Sequence, residues 1–171
     1  MALDASLWTE DAKGNLYGGD AAAYQAAVLE QYKIYVEMAD RVSQRRGLTN
    51  TFFLTLNTAI FTAVGLFWEH KPKGQVWWLA FPLAMLLGEC FAWFYLLRSY
   101  RLLNTAKYEV VGALERRLPA SPYWSAEWTA LGKGKDPKKY WPLSHIESWI
   151  PVFFAALYVC GFAALMTMRT G

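Results

Sequence analysis

The chain has 171 residues, of which 55% are hydrophobic and 17% aromatic, with 9 Trp and a formal net charge of +3. This is too apolar for an ordinary soluble domain of that length, and so small a positive balance needs no nucleic-acid partner to explain it. The apolar residues stand in long blocks, so the fold class expected is all-α: an integral membrane protein with three transmembrane helices and long cytoplasmic helical extensions.

Residues 1–20 carry Asp4, Glu10, Asp11 and Asp20 without a continuous apolar core. They read as a flexible cytoplasmic N-terminal segment, not as a secretory signal peptide. Residues 21–48 then read as a cytoplasmic amphipathic helix, capped by Asp20, with Val28, Tyr32, Tyr35, Ala39 and Val42 recurring at spacings of three and four. Residues 50–68 (NTFFLTLNTAIFTAVGLFW) supply transmembrane helix 1, close to the roughly 20 residues that cross a hydrocarbon core. The next apolar block, residues 76–97, continues through "RSYRLLNTAKYEVVGALERRLP" without a breaker until Gly112 and Pro119. Residues 76–118 are therefore expected to form transmembrane helix 2 and its cytoplasmic extension, on the order of 60 Å at 1.5 Å per residue, with Leu103, Val110, Leu114 and Leu118 along one face.

Prolines, glycines and aromatics break the pattern over residues 119–148, which read as a cytoplasmic aromatic and basic loop. Its "GKGK" lacks the spacing and the following Ser or Thr of a phosphate-binding loop. Lys133, Lys135, Lys138 and Lys139 suit anionic lipid headgroups, while Tyr123, Trp124, Trp128, Tyr140 and Trp141 suit an interfacial or packed loop. In "SHIE", Ser144 and Glu147 occupy the N-cap and N3 positions of a capping box ahead of transmembrane helix 3, residues 149–168. His70 and His145 are far apart in sequence, so neither a metal nor a cofactor is implied. Cys90 and Cys160 both fall inside spans and read as small buried thiols.

All Lys and Arg residues except Lys71, Lys73 and Arg169 lie before the first span or between the second and third. The positive-inside rule then places the N-terminus in the cytoplasm and the 69–75 hairpin and the C-terminus outside.

Glu89 is the one acidic residue deep in an apolar block, where an unpartnered carboxylate is expensive. Counted from the cytoplasmic borders, Asn57, Glu89 and Tyr158 share a depth of about 10 to 14 Å and form a candidate intramembrane polar cluster. Two readings of Glu89 stay open: a neutral carboxyl hydrogen-bonded across helices, or a group beside a water- or ion-lined path. Next to it, Ala80, Ala84, Gly88 and Ala92 make a small-residue stripe suited to close helix packing, echoed by Thr55, Ala59 and Ala63 and by Ala156, Cys160 and Ala164. Pairing Asn57 with Glu89 also sets an antiparallel register whose residue numbers sum to about 146, which brings Asp40 opposite Lys107 as a candidate cytoplasmic ion pair.

Three segments, "YVEMADRVSQRRGLTNTFFLTLNTAI", "WFYLLRSYRLLNTAKYEVVGALERRLP" and "EWTALGKGKDPKKYWPLSHIESWIP", together resemble the RipA family of octameric membrane proteins over roughly residues 22 to 160. The resemblance implies a bacterial cytoplasmic-membrane protein and a homo-octamer, with no catalytic residues to carry over. Two functions remain in view: a non-enzymatic scaffold or regulatory complex whose cytoplasmic helices meet a protein partner, or a channel with Glu89 near the conduction path. No nucleophile, base and metal constellation supports an enzyme.

Overall fold

A computed structural model describes residues 2–9, 17–67, 79–136, 138–140 and 142–170. The elements in chain order are α1 (Ala2–Leu7), α2 (Ala21–Leu66), α3 (Ala80–Glu115), a π-helix (Pro122–Glu127), a single turn α4 (Trp128–Ala130), a 3-10 turn (Gly132–Gly134) and α5 (Leu143–Thr170). No strand occurs among the described residues. The 69–75 hairpin with His70, Lys71 and Lys73, together with Glu10, Asp11, Lys13 and Trp141, lies outside them.

The chain divides into two compact units. The first comprises Met1–Gln44 and Arg101–Pro142, the second Arg45–Tyr100 and Leu143–Gly171. Both α2 and α3 contribute to each unit.

Asp20 starts α2 as expected: its Oδ1 accepts the N–H groups of Ala22 at 2.9 Å and Ala23 at 3.1 Å. The two elements expected over residues 21–48 and 50–68 are instead one helix of 46 residues, Ala21–Leu66, with Trp68 outside the described residues. Gly47 costs an interior helix only about 1 kcal/mol against Ala, too little to break a helix packed along its length.

Among the described residues, two helices are long and apolar enough to cross a membrane: α3, and Ile146–Thr167 of α5. The described residues thus hold two such helices, not the three expected. The 50–66 part of α2 falls short because Asn50, Thr51, Thr55, Asn57, Thr58 and Thr62 dilute its apolar content. Its hydroxyls are nevertheless satisfied locally, since Thr51, Thr55, Thr58 and Thr62 each donate to the carbonyl four residues earlier at 2.8 to 3.2 Å.

The third apolar segment begins at Leu143, six residues before the expected 149, which moves Pro151 from a first turn into the helix interior. Pro151 donates no N–H, so the helix loses one internal bond there. Its side chain is fully buried.

In the second unit the core is aromatic. Phe53 and Trp93 stack at 5.5 Å between ring centroids, with Leu97 buried beside them and Ile150 and Phe154 against them. Leu86, Cys90 and Tyr158 form a second cluster, packed by Ile60, Leu83 and Phe154. Cys160, expected to be buried, is exposed on the outside of the chain.

The first unit buries Val28, Ala39, Val42, Val111, Ala113 and Leu114. Residues 2–7 of the acidic N-terminal segment are helical there: Arg116 donates to Asp4 at 2.9 Å, and Arg117 lies 3.3 Å from the centroid of the Trp8 ring. Trp124 rests on Gly112, where a Cβ would stand 2.5 Å from the indole. Gly112→Ala is therefore expected to displace the indole and destabilise the chain by about 1–3 kcal/mol, seen as a lowered melting temperature. An unchanged melt would show that the tryptophan shifts without cost.

Candidate functional site

Two polar networks stand out, one in each unit. In the second unit, Asn57 is 1% exposed and uses its whole amide. Its Nδ2 donates to the Phe53 carbonyl at 2.7 Å and to Glu89 Oε1 at 2.6 Å, and its Oδ1 accepts the Tyr158 hydroxyl. The three residues come from α2, α3 and α5, so one side chain ties all three helices of this unit. About two helical turns earlier on α2 and one turn later on α3, Asn50 Oδ1 accepts Trp93 Nε1 at 2.8 Å, which satisfies the indole of a fully buried tryptophan. The remaining oxygen of Glu89, Oε2, is buried without a hydrogen-bond partner.

Glu147 sits in the same unit. Its Oε2 lies 3.0 Å from Arg46 Nε in a largely buried ion pair, without the alignment of a hydrogen bond. The capping-box expectation is corrected accordingly: the helix already starts at Leu143, and Glu147 reaches across to α2. The side chain of Ser144 lies outside the described residues.

The network of the first unit centres on Glu115, which is 1% exposed at the end of α3. Four donors converge on its carboxylate: Tyr32 Oη at 3.0 Å, Ser121 Oγ at 2.7 Å, and the backbone N–H groups of Tyr123 at 3.1 Å and Trp124 at 2.9 Å. Burial, followed by the hydrogen bond and charge of Glu115, raises the Tyr32 phenol above its ordinary range. Glu115 thus holds α2, the end of α3 and the π-helix together. Glu115 is not among the site residues expected from the sequence. A signal was present: a carboxylate in the last turn of a helix opposes the helix dipole, so it needs donors from elsewhere.

The structure brings Asn57, Glu89 and Tyr158 together directly. It does not join Asp40 and Lys107 within the chain. Lys107 is buried with its Nζ 4.6 Å from the centroid of the Tyr35 ring, while Asp40 accepts Gln44 Nε2 at 2.9 Å. The reason is rotational. Ala39 occupies the buried face of α2, and Asp40, about 100° further round, points to the exposed one. Ala84, Gly88 and Ala92 are exposed on the chain and Ala80 partly so; nothing lies within 4 Å of where a Cβ on Gly88 would stand. Lys133, Lys135, Lys138 and Lys139 are likewise exposed. No group of three or more His, Cys, Asp or Glu residues suited to a metal occurs among the described residues.

A family model matches residues 29–167, and its description is the octameric membrane protein family (8xMP). No curated protein and no solved structure matches the chain.

Proposed function

The chain belongs to the octameric membrane protein family, and from that premise we propose that it is a non-enzymatic subunit of a homo-octameric scaffold or regulatory complex in the bacterial cytoplasmic membrane. The observation that carries this reading is how the polar groups are distributed. The amide of Asn57, Glu89 Oε1, the hydroxyl of Tyr158 and the indole N–H of Trp93 are consumed inside the chain, and the small residues Ala84, Gly88 and Ala92 stand outside it. Interior polar contacts define the subunit, and exposed small residues suit close packing between membrane helices, where burial from water no longer drives association.

Native mass spectrometry of the detergent-extracted protein is expected to give eight copies. Gly88→Leu is expected to lower that number while the melting of the subunit holds. Liposomes carrying the octamer should show no ion flux. A monomeric wild type, or robust flux abolished by Glu89→Ala with the octamer intact, would overturn the proposal. One observation favours the second reading, a channel: Glu89 Oε2 is buried and unpartnered, a free acceptor at the depth of the polar layer.

The reading also takes residues 50–66 as a third crossing, alongside α3 and α5. Its support is that Asn57 spends its amide on neighbours from those two helices and that the threonine hydroxyls bond inside α2. With the bias of Lys and Arg, this puts the N-terminus inside and the C-terminus outside. Reporter fusions at the two termini are expected to report opposite sides; the same side for both would leave only two crossings.

A further inference from the structure

In the first unit, a cavity of about 440 Å³ opens between α3, the π-helix and α4. That is within the size range of small-molecule sites, about 300–1,000 Å³. Its walls are aromatic: Tyr108 from α3, Tyr123 and Trp124 from the π-helix, Trp128 from α4, and Tyr140 beyond the 3-10 turn. Two carboxylates, Glu109 and Glu127, join the lining, and no Lys or Arg does.

Three features go beyond an ordinary packed loop. First, Trp124 and Trp128, each more than two-fifths exposed, are seated on glycines. A Cβ on Gly112 would stand 2.5 Å from Trp124, and one on Gly134 would stand 3.0 Å from Trp128. Gly134 also has a φ of +67°, a conformation glycine adopts without strain. The two indoles are thus held in position before any ligand arrives. Second, neither Glu109 nor Glu127 makes an ion pair among the described residues, although this segment is rich in lysine. Third, the Tyr108 phenol is pushed up by burial and then by the charge of Glu127, so that carboxylate acts on the aromatic wall.

We propose that this cavity binds a small organic cation bearing an alkylated ammonium group. Aromatic faces attract such a cation through their quadrupoles, and its methyl groups fill an apolar space that a hydrated metal ion would not. Glu109 and Glu127 supply the countercharge. The same ammonium chemistry occurs on a free solute and on a choline-type lipid headgroup.

Isothermal titration of the full chain in nanodiscs of anionic lipid tests this with choline and its uncharged isostere, in which carbon replaces the ammonium nitrogen. Choline is expected to bind saturably, with the isostere at least about tenfold weaker, because cation–π and ionic attraction are lost together. Glu127→Gln, a change at an exposed position, is expected to weaken choline about tenfold at an unchanged melting temperature, and Trp128→Ala to abolish binding. Repeating the titration in phosphatidylcholine nanodiscs separates the two sources: weaker apparent choline binding assigns the site to a lipid headgroup, and equal binding to a free solute. No saturable choline binding, equal binding of the isostere, or full choline affinity in Glu127→Gln would overturn the proposal.

Discussion

Glu115→Ala is expected to lower the stability of the chain by about 3–5 kcal/mol, because one carboxylate is the shared acceptor of several donors. The substitution strands four donors at once. The Tyr32 and Ser121 hydroxyls and the N–H groups of Tyr123 and Trp124 all aim at one carboxylate. Each buried donor left without a partner costs about 1–3 kcal/mol, and part of that returns as the π-helix loosens and water enters. Glu115→Gln should fall between wild type and Ala: it keeps one acceptor oxygen but turns an amide NH₂ toward donors that need an acceptor. Thermal unfolding in detergent, followed by circular dichroism, reads the order. A melt of Glu115→Ala equal to wild type would show that the carboxylate is not what fastens α2 to the end of α3.

The helices were legible in the sequence because their apolar blocks are long and Asp20 is an unambiguous cap. The contact of Asn57 with Glu89 and Tyr158 was legible as well, because all three stand out as polar residues in apolar sequence. What escaped was the face of α3 in the first unit. Counting apolar residues selects Leu103, Val110, Leu114 and Leu118, yet Leu103 is 47% exposed and the buried positions include Lys107, Val111, Leu114 and Glu115. Two of these are charged. Lys107 is sheltered by the Tyr35 ring and Glu115 by four donors, and neither partner adjoins it in sequence. Periodicity sees only the apolar members of such a face. The same blindness affected Glu147, whose local capping role was plausible, because its ion pair with Arg46 depends on how α5 meets α2. Residues 50–66 are harder to read because of their threonines, since hydropathy counts a hydroxyl as polar whether or not it is already bonded to its own helix.

Asn57→Leu is expected to be the most damaging single change in the apolar part of the chain, and Glu89→Gln among the mildest. Gln at position 89 keeps an oxygen that can accept Asn57 Nδ2, so the link between α2 and α3 survives. Leucine at 57 removes the donor to Glu89 Oε1 and the acceptor of the Tyr158 hydroxyl together, leaving two polar groups stranded between three helices. Hydrogen bonds between membrane helices average only about 0.6 kcal/mol. The orphaned groups cost more, about 1–3 kcal/mol each, so a loss of about 2–4 kcal/mol is expected for Asn57→Leu and less than about 1 for Glu89→Gln. A double substitution separates the lost bond from the stranded group. Tyr158→Phe alone should cost about 1 kcal/mol, but added to Asn57→Leu it should cost nothing further and restore part of the loss, because the stranded hydroxyl is gone. Melting temperatures of the four proteins in one detergent complete the cycle. Additive losses from Asn57→Leu and Tyr158→Phe would mean that the two side chains act independently and that the layer is not a network.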